Sequence, residues 1–437
     1  MNIILLSGGS GQRLWPLSNT IRSKQFIKLF RSENGGYESM LQRVCRQIKK
    51  ADSDAKIVIA TGKSQVSEIR NQVGDSVEIC VEPVRRDTMA AIALASAYFA
   101  GTPGTGDEPV IVCPVDPYVE DDYFETLKIL DGKISENIPG LFLMGVEPTY
   151  PSAKYGYIIP ENDDALSGVK EFREKPDAET AADYIAQGAL WNCGVFGFRM
   201  SYILNRSREV LGSSNYEELL VNYERLPGIS FDYAVVEKEK NIKVLRFKGQ
   251  WKDIGTWNTF AESMAEPVTG QAILDDCCYN VNVVNELGIP VICMGLRDAV
   301  VAVSNDGVLV TDKERSGYLK TYVEKIDDSV RYAEKSWGTF TVLDVTPESM
   351  TVKAVIFPGR FMSYHSHDGR REIWNVVSGE GEAVIDGARR KITAGDSLTI
   401  DTHAKHSVRA ITELTIIEIQ QGDEISVHDK IKYNWKW

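Results

Sequence analysis

The sequence predicts an α/β fold in its first part and β structure in the remainder. From residue 1 to about residue 265, short apolar runs alternate with segments of helical periodicity, which is typical of a mixed, mostly parallel sheet flanked by helices. Beyond that point, β-branched stretches recur between turn residues. We therefore predict three domains, at residues 1–266, 267–328 and 329–437.

The elements of the first domain follow from the apolar pattern. The predicted buried strands are Ile3–Leu6, Lys56–Ala60, Glu78–Val81, Val110–Cys113 and Leu141–Val146. Segments Ser39–Lys49 and Met89–Phe99 have the 3.6-residue periodicity of helices. Ligands of such sheets bind at the carboxyl ends of the strands, so we expect the chemistry of the first domain there.

The second domain is predicted to be a small β connector. Its predicted strands are Asn280–Val284, Ile289–Met294, Ala299–Val303 and Val308–Thr311. The connector carries no pattern that indicates chemistry, and we expect it to act as a spacer or as the contact of a homodimer.

Composition limits the class of protein. The chain of 437 residues has a formal charge of −13, which argues against nucleic acid or anionic membranes as partners because phosphate-rich polymers favour a basic surface. The apolar start is too short for a signal peptide, and no run approaches a membrane span. Seven scattered cysteines fit a reducing compartment, and we expect a cytoplasmic protein.

A glycine-rich segment follows the first predicted strand. Gly8, Gly9 and Gly11 let the backbone bend tightly and point several N–H groups at one anion. Arg13 and Lys24 follow, and both side chains neutralise phosphate charge. The segment predicts a nucleotide phosphate site, although its spacing matches neither GxxxxGK[ST] nor GxGxxG.

An acidic residue ends another predicted strand. Asp116 follows Val110–Cys113, and a carboxylate combined with substrate phosphates suits the hard-oxygen preference of Mg²⁺. An aspartate at a strand end is also common as a helix cap or turn residue, so its value as a ligand depends on a second carboxylate.

The glycine-rich segment resembles the signature of sugar-1-phosphate nucleotidyltransferases, most closely the mannose-1-phosphate guanylyltransferases. The matching strings are GGSGQRLWPLS (8–18), SKQF (23–26), EPVRRDT (82–88), YGYI (155–158), FREKP (172–176), WNCGVF (191–196), ISFDYA (229–234) and WKDIGTW (251–257). The resemblance implies a Rossmann-like nucleotidyltransferase domain that uses Mg²⁺, a nucleoside triphosphate and a sugar 1-phosphate.

The resemblance also implies roles for individual residues. The nucleotide-binding residues would be Leu6, Ser7, Gly8, Gly9, Gly11, Arg13, Glu82, Arg86 and Asp116. The catalytic residues would be Arg13, Lys24, Asp116 and Asp253, with Asp116 and Asp253 as the Mg²⁺ ligands. The sugar-phosphate residues would be Gly156, Glu174, Lys175, Asn192 and Asp232. Aromatic residues of these motifs, such as Tyr155 and Trp191, could equally be plain core packing.

The sequence departs from the family pattern at four positions. Ser23 stands where the family has proline, Asn19 where it has arginine, Asp87 where it has asparagine, and Pro117 where it has histidine. Arg13, Lys24, Asp116 and Asp253 are kept, so these changes concern the backbone of the loops or the choice of substrate, or they are neutral drift.

The third domain contains a second, independent motif. Gly359-x₅-His365-x-His367-x₄-Glu372-x₆-Gly379 fits the first cupin motif, and His406 ends a variant of the second. Cupins are β-barrels. Histidines two apart on a strand project to one side, and His365, His367, Glu372 and His406 suit Zn²⁺ or another first-row divalent ion. A barrel lined by polar groups and filled with water is the alternative.

This cupin is similar to type II phosphomannose isomerases. The implied metal ligands and Arg370 are kept, but Asp368, Gly369 and Ile373 replace three histidines of the isomerase pattern. An isomerase needs an acid–base group besides the metal. Several candidates for that group are missing here, so the pattern argues against isomerase activity.

The resemblance implies formation of GDP-mannose and pyrophosphate from GTP and mannose 1-phosphate, by in-line attack on the α-phosphate. Three alternatives stay open. The chain could also carry mannose-6-phosphate isomerase activity, it could use another sugar 1-phosphate or nucleotide, or it could be a non-catalytic regulator that binds nucleotide sugars.

Overall fold

A computed structural model of the chain describes residues 1–9, 12–102, 106–136, 140–326, 330–423, 425 and 429–437. The chain forms two compact units. The first comprises Met1–Ser10 and Ser23–Ala265, and the second comprises Gly11–Arg22 and Glu266–Trp437. Among the residues described, no helix combines the length and the apolar character needed to cross a bilayer.

The first unit alternates strands and helices, as the apolar pattern predicts. Its strands are β1 (Asn2–Leu6), β2 (Phe30–Arg31), β3 (Tyr37–Glu38), β4 (Lys56–Gly62), β5 (Glu78–Glu82), β6 (Pro109–Pro114), β7 (Pro117–Val119), β8 (Leu141–Val146), β9 (Tyr157–Pro160), β10 (Leu166–Arg173), β11 (Leu190–Arg199), β12 (Ile242–Phe247) and β13 (Trp251–Asp253). Its helices are α1 (Met40–Ala51), α2 (Val66–Val73), α3 (Asp87–Ala100), α4 (Asp121–Ser135), α5 (Ala178–Ala186), α6 (Met200–Leu211), α7 (Tyr216–Asn222), α8 (Phe231–Ala234) and α9 (Trp257–Ala261). Short 3₁₀ turns lie at Lys24–Phe26, Lys63–Gln65, Tyr223–Arg225 and Val236–Lys238.

The large sheet has the strand order β5-β4-β1-β6-β11-β8-β12-β10-β9. Strands β5, β4, β1 and β6 pair in parallel, so their carboxyl ends meet at one edge. Strand β11 runs antiparallel to β6, β8 and β9, which makes the sheet mixed. The predicted α/β fold class is confirmed.

Local chemistry explains where the helices lie. Helix α1 begins at a capping box, in which the Ser39 side chain accepts from Gln42 N and the Gln42 side chain accepts from Ser39 N. Helix α3 is alanine-rich and almost wholly buried, since small side chains allow the helix to pack closely within the core around Ile92 and Leu94. The core cluster of this unit joins α3 to the strands of the large sheet.

The second unit is built from β-strands. They are β14 (Val268–Thr269), β15 (Ala272–Leu274), β16 (Asn282–Asn285), β17 (Val291–Cys293), β18 (Ala299–Ser304), β19 (Gly307–Asp312), β20 (Tyr332–Lys335), β21 (Gly338–Val345), β22 (Ser349–Ile356), β23 (His365–Ser366), β24 (Arg370–Ser378), β25 (Glu380–Ile385), β26 (Ala388–Thr393), β27 (Ser397–Ile400), β28 (His406–Ala410), β29 (Leu414–Gly422) and β30 (Ile431–Lys432). Helix α10 (Lys320–Val323) and 3₁₀ turns at Gln12–Leu14 and Arg315–Tyr318 complete it.

Two parts of this unit have separate cores. The connector sheet has the order β14-β16-β18-β19 around a core that includes Val283 and Val301. The barrel consists of the sheets β20-β21-β22-β29-β24-β27 and β26-β25-β28-β23-β30, with Trp374 and Ile416 in its core. This architecture confirms the predicted β connector and β-barrel.

Segment 12–22 packs within the second unit. Asn19 Nδ2 donates to Asp306 Oδ2 at 2.7 Å and to Tyr332 O at 3.1 Å, and Arg22 forms a bidentate pair with Glu286. Asn19, which stands where the family has arginine, therefore ties this segment to the connector and to the first barrel strand.

Candidate active site and candidate metal centre

Lys24 lies beside both predicted metal-binding aspartates. Its Nζ is 2.8 Å from Asp116 Oδ2 and 3.9 Å from Asp253 Oδ1, and it donates to Ile254 O at 2.8 Å. The pairing of β7 with β13 sets Asp253 opposite Pro117, next to Asp116 in the chain. Two carboxylates from distant parts of the sequence therefore lie beside the same ammonium group, that of Lys24.

The glycine-rich segment is held by a buried polar network. Ser23 Oγ donates to Gly9 O at 3.0 Å, and Gln65 Nε2 donates to Ser23 Oγ at 2.6 Å. Gln25 Nε2 donates to Ser7 Oγ at 3.1 Å. Ser23 has φ −77° and ψ 160°, a backbone that proline also adopts. The hydroxyl in place of the family's proline thus keeps the backbone shape and adds a contact to Gly9.

Three other predicted nucleotide residues lie at strand ends or next to a helix start. Leu6 ends β1 and its carbonyl accepts from Val115 N. Glu82 ends β5, is buried, and accepts from Tyr223 Oη at 2.7 Å; burial raises the pKa of the Glu82 carboxyl. Arg86 precedes α3 and donates to Glu224 O.

The remaining predicted nucleotide residues are placed differently. Arg13 is in the 3₁₀ turn Gln12–Leu14, which belongs to the second unit. Gly8 and Gly9 are exposed, and apart from the glycine and its chain neighbours no described residue would lie within 4 Å of a Cβ at either position. Gly11 lies outside the described residues.

The five residues predicted for the sugar phosphate form one cluster. Asn192 N donates to Gly156 O at 2.8 Å, and Asn192 Nδ2 donates to Asp232 Oδ1 at 2.8 Å. Lys175 Nζ donates to Glu174 Oε1 at 2.6 Å. A Cβ at Gly156 would lie too close to Glu174 Oε2, at 2.4 Å, so glycine is required for the close approach of this carboxylate.

The electrostatics of the cluster indicate a site for a polar ligand. Burial, reinforced by the Glu174 carboxylate, raises the pKa of Asp232 to about 6. Glu174 Oε2 is buried and has no hydrogen-bond partner among the residues that the structure describes. Burial lowers the pKa of Lys175, but its contact with Glu174 outweighs this and gives a net increase. An unpaired buried acceptor is costly, and a ligand hydroxyl would satisfy it.

Aromatic side chains connect the cluster with the aspartates. Tyr155 packs on Trp191 with ring centroids 4.9 Å apart and on Trp251 at 5.3 Å. Burial, then the charge of Asp253, raises the pKa of Tyr155. Trp191 is buried, as the core-packing alternative expects. In the chain, Trp191 directly precedes Asn192 and Trp251 lies two residues before Asp253, so Tyr155 packs between the neighbours of the two sites.

Sequence reasoning missed residues that support this site. Gln65, Tyr223 and Ile254 contact predicted residues, yet Gln65 and Tyr223 belong to no motif, and Ile254 contributes only its carbonyl to Lys24. No local pattern distinguishes such residues from other polar or aromatic ones. Only the three-dimensional contacts identify them.

In the barrel, three predicted metal ligands come together. The ligand atoms of His365, His367 and His406 lie within 4.8 Å of one another, and all three residues are buried. Pairing of β23 with β28 sets His365 opposite His406. Glu372 Oε1 is 3.1 Å from His367 Nε2, and Glu372 Oε2 is 3.4 Å from His406 Nε2.

Backbone carbonyls fix the orientation of the three rings. His365 Nδ1 lies 2.6 Å from Ser363 O, and His406 Nδ1 lies 2.9 Å from Ala404 O. His367 Nδ1 bonds Asp429 O. Because a carbonyl can only accept, each Nδ1 carries a proton, and in the neutral imidazole this leaves the Nε2 lone pair for a ligand. This donor set fits a first-row divalent ion.

Charged groups surround the histidines. Arg370 Nη2 lies 3.1 Å from His367 Nε2 and its Nε donates to Glu372 at 3.2 Å. Burial disfavours the charge on Glu372, but its contacts with His367 and His406 hold its pKa well below the usual range. Burial, then the Glu372 charge, raises the pKa of Glu418 to about 8.

The positions that depart from the isomerase pattern are exposed or half-buried, whereas His365, His367 and His406 are buried. Asp368 is exposed and its carboxylate is 3.0 Å from Nδ1 of exposed His403. Gly369 is also exposed, and Ile373 is half-buried on β24.

Comparison with known proteins agrees with both motif sets. The nucleotidyl transferase family model matches residues 2–268, and the cupin domain model matches residues 353–419. A mannose-1-phosphate guanylyltransferase of Salmonella montevideo is 28% identical over 99% of this chain and 98% of its own length. Xanthan biosynthesis protein XanB of Xanthomonas campestris pv. campestris is 28% identical, over 98% and 97% respectively.

A solved structure supports the same fold. The crystal structure of a protein from Thermus thermophilus, described as a mannose-1-phosphate geranyltransferase, is 28% identical with a TM-score of 0.62 and covers 74% of this chain and 98% of that one. The nucleotidyl transferase model covers more than half of the 437 residues. The chain therefore belongs to the nucleotidyl transferase family and carries a cupin domain after its nucleotidyl transferase domain.

Proposed function

We propose that the protein forms GDP-mannose and pyrophosphate from GTP and mannose 1-phosphate. The observation that carries the proposal is the convergence of Lys24 with Asp116 and Asp253, linked by Tyr155 and Trp251 to the polar cluster around Asn192. Relatives named as mannose-1-phosphate guanylyltransferases and as a xanthan biosynthesis protein support the substrates and a role in supplying sugar donors for polysaccharides.

The reaction requires alignment of two phosphates and neutralisation of charge rather than a covalent intermediate. Mg²⁺ bound by Asp116 and Asp253 would supply Lewis-acid stabilisation. Lys24 neutralises charge on the triphosphate, and backbone N–H groups of residues 6–9 bind it. Lys175 binds the phosphate of the sugar 1-phosphate. An oxygen of this phosphate attacks the α-phosphate of the nucleotide in line, and pyrophosphate leaves.

The polar cluster selects the sugar. Glu174 Oε2, which lacks a hydrogen-bond partner among the described residues, and Asp232 accept hydrogen bonds from sugar hydroxyls, while Asn192 offers its amide. Gly156 keeps the backbone clear for the ring. Glu82 and Arg86 contribute to the pocket for the other substrate, the nucleoside triphosphate.

The decisive substitution is Asp253→Asn. It keeps the size of the side chain and removes one carboxylate charge, so turnover should fall by about 100-fold or more while folding is retained. Asp163→Asn is the matched control, because the Asp163 side chain is 99% exposed and its carboxylate contacts Arg246 rather than either proposed metal ligand. Wild-type turnover in Asp253→Asn would remove the proposed role of this residue.

Substrate identity is tested with a matrix of four nucleoside triphosphates against several sugar 1-phosphates, followed by pyrophosphate detection. GTP with mannose 1-phosphate should give the highest kcat/KM. A higher value for another pair would establish the alternative substrate, and no pyrophosphate from any pair would favour the non-catalytic regulator.

We further propose that the cupin binds a first-row divalent ion, Zn²⁺ among the candidates, through His365, His367, His406 and Glu372. Asp368, Gly369 and Ile373 stand where the isomerase pattern has histidines, and this supports metal binding without isomerase activity. A coupled mannose-6-phosphate isomerase assay with added divalent metals tests the bifunctional alternative. A metal-dependent rate that His367→Ala abolishes would establish it.

Assembly and compartment belong to the same proposal. The connector exposes apolar side chains, with Ile273 63%, Ile292 66% and Met294 71% exposed, and these support a homodimer. Light scattering on wild type and Ile292→Asp measures the oligomeric state.

Both substrates are charged phosphates that do not cross a bilayer unaided, so we propose the cytoplasm as the compartment.

A further inference from the structure

The three histidines of the barrel do not obtain their backbone partners in the same way. His365 and His406 donate Nδ1–H to carbonyls two residues earlier, those of Ser363 and Ala404. His367 instead donates to the carbonyl of Asp429, 62 residues further along the chain. The orientation of one predicted ligand therefore depends on a distant segment, residues 429–437.

Asp429 also clamps the turn that follows His367. Its Oδ1 accepts from Asp368 N at 2.8 Å and its Oδ2 accepts from Gly369 N at 3.1 Å. One residue thus makes three hydrogen bonds with three consecutive residues, 367–369. The carboxylate holds the turn, which keeps His367 against the Asp429 carbonyl.

The same segment forms the outer neighbour of the strand that carries His365. In β30, Ile431 pairs with Ser366 and Lys432 pairs with His365. Tyr433 N donates to Tyr364 O at 2.8 Å, and the Tyr433 hydroxyl lies 3.2 Å from Ser366 Oγ. Strand β23 is only two residues long, so this pairing supports a strand with little hydrogen bonding of its own.

Aromatic contacts attach the segment to the barrel surface. Trp435 packs on Tyr364 with ring centroids 4.9 Å apart, and the Arg389 guanidinium lies 5.6 Å from the rings of both Trp435 and Trp437. Arg389 Nη2 donates to Lys436 O at 3.1 Å. These contacts fix the segment independently of the histidines.

We propose that segment 429–437 helps to form the barrel's metal centre. Asp429 is the positioning residue, and it holds His367 in the tautomer whose Nε2 accepts. The inference rests on the metal site proposed above for the cupin. Groups that orient a metal-binding histidine typically change metal affinity by 10–100-fold when they are removed. Asp429 acts through His367 rather than on the metal, because both of its carboxylate oxygens bind backbone N–H groups.

The first test reads the histidine directly and needs no metal. In metal-free full-length protein, ¹⁵N NMR of the five histidines should show His367 protonated at Nδ1. Asp429→Ala should convert this signal to a mixture of tautomers, and Asp429→Asn should restore it in part, because Asn keeps one acceptor oxygen. An unchanged His367 signal in Asp429→Ala would overturn the inference.

The second test uses Co²⁺ as a probe of the metal site. Asp429→Ala should bind Co²⁺ about 10–100-fold more weakly than wild type, and Asp429→Asn should lie between them. Asp396→Ala is the matched control, because Asp396 also caps a backbone N–H of the barrel, that of Thr393 at 2.7 Å, and we expect unchanged affinity. A wild-type far-ultraviolet circular dichroism spectrum and a cooperative melting transition establish that the variants fold.

The outcomes separate the two proposals. If wild type binds Co²⁺ and Asp429→Ala binds it equally well, the role of Asp429 is wrong and the metal site stands. If wild type binds no Co²⁺, the metal site is wrong, and the NMR experiment still decides whether Asp429 orients His367.

Discussion

Lys24 Nζ lies 2.8 Å from Asp116 Oδ2, so an ammonium group contacts the carboxylate that we propose as a metal ligand. Asp253 Oδ1 lies 3.9 Å from the same Nζ. A divalent cation held by the same two carboxylates would be repelled by this ammonium unless a phosphate draws the lysine away. The arrangement favours entry of the metal together with the nucleotide.

Lys24→Met tests this relationship. Repulsion between a unit charge and a divalent ion about 4 Å apart costs about 2 kcal/mol in water, so free Mn²⁺ should bind the variant about tenfold or more tightly without nucleotide. Turnover should nevertheless fall by about 100-fold, since a donor to the phosphates is lost. Electron paramagnetic resonance of Mn²⁺ and pyrophosphate release measure the two effects.

The control for Lys24→Met is Lys252→Met. Lys252 lies on β13 beside Asp253 in sequence, but its Nζ pairs with exposed Glu262 at 3.3 Å. We expect unchanged Mn²⁺ affinity and turnover. Equal Mn²⁺ affinity in wild type and Lys24→Met would contradict the proposed competition.

The contact between Ser23 and Gly9 gives a second prediction. Ser23→Ala removes the hydrogen bond to Gly9 O and the shorter of two hydrogen bonds that Gln65 Nε2 donates, leaving Gln65 with Gly9 O at 3.4 Å. A loss of about 1 kcal/mol corresponds to about a fivefold increase in KM for the nucleotide, with KM for the sugar phosphate unchanged. Steady-state kinetics with each substrate varied separately measures both. An increase confined to the sugar phosphate would contradict the proposed place of the nucleotide.

Much of the fold could be predicted, because buried strands appear in the sequence as apolar runs. Strands β1, β4, β5, β6 and β8 lie where these runs predict them, with ends shifted by at most two residues. Contacts between distant elements leave no such record. The pairing of β7 with β13, which sets Asp253 opposite Pro117, is too short to be recognised from periodicity. Only the family resemblance implied that Asp116 and Asp253 act at one site.

The candidate site shows the same division. The cluster of Glu174, Lys175, Asn192 and Asp232 was predicted from motifs, and the structure brings these residues into contact. Segment 12–22, in contrast, is continuous in sequence with the glycine-rich loop but packs with the second unit. Sequence continuity alone could not reveal this, because the partners of Asn19 lie at residues 306 and 332.

The pKa of Asp232 predicts a dependence of stability on pH. Burial raises this pKa to about 6, above the value of about 3.9 in unfolded chains, so the folded protein binds the proton more tightly. The stabilisation is present in full below the unfolded pKa and is lost as the pH rises through about 6. Its size is on the order of 2–3 kcal/mol.

Asp232→Asn should abolish this part of the pH dependence, since asparagine resembles the protonated acid at every pH. Melting of wild type and Asp232→Asn is therefore compared between about pH 4.5 and 7, a range that spans the loss of the proton, with exposed Asp163→Asn as the control. The wild type should lose stability relative to Asp232→Asn as the pH rises. Parallel melting curves would show that Asp232 does not titrate in this range.

Gly156→Ala tests the sugar site by steric means. The added Cβ would lie 2.4 Å from Glu174 Oε2 and 3.2 Å from Phe172 Cζ, so the Glu174 carboxylate must move. Because this carboxylate is proposed to accept from sugar hydroxyls, KM for the sugar 1-phosphate should increase by about tenfold or more while KM for the nucleotide is unchanged. Gly132→Ala, in α4, is the matched control, because apart from its neighbours and the backbone of α4 no described residue would lie within 4 Å of the new Cβ, and alanine favours a helix. We expect normal kinetics and slightly higher stability for Gly132→Ala. An increase in KM for the nucleotide alone in Gly156→Ala would instead assign this cluster to the nucleotide.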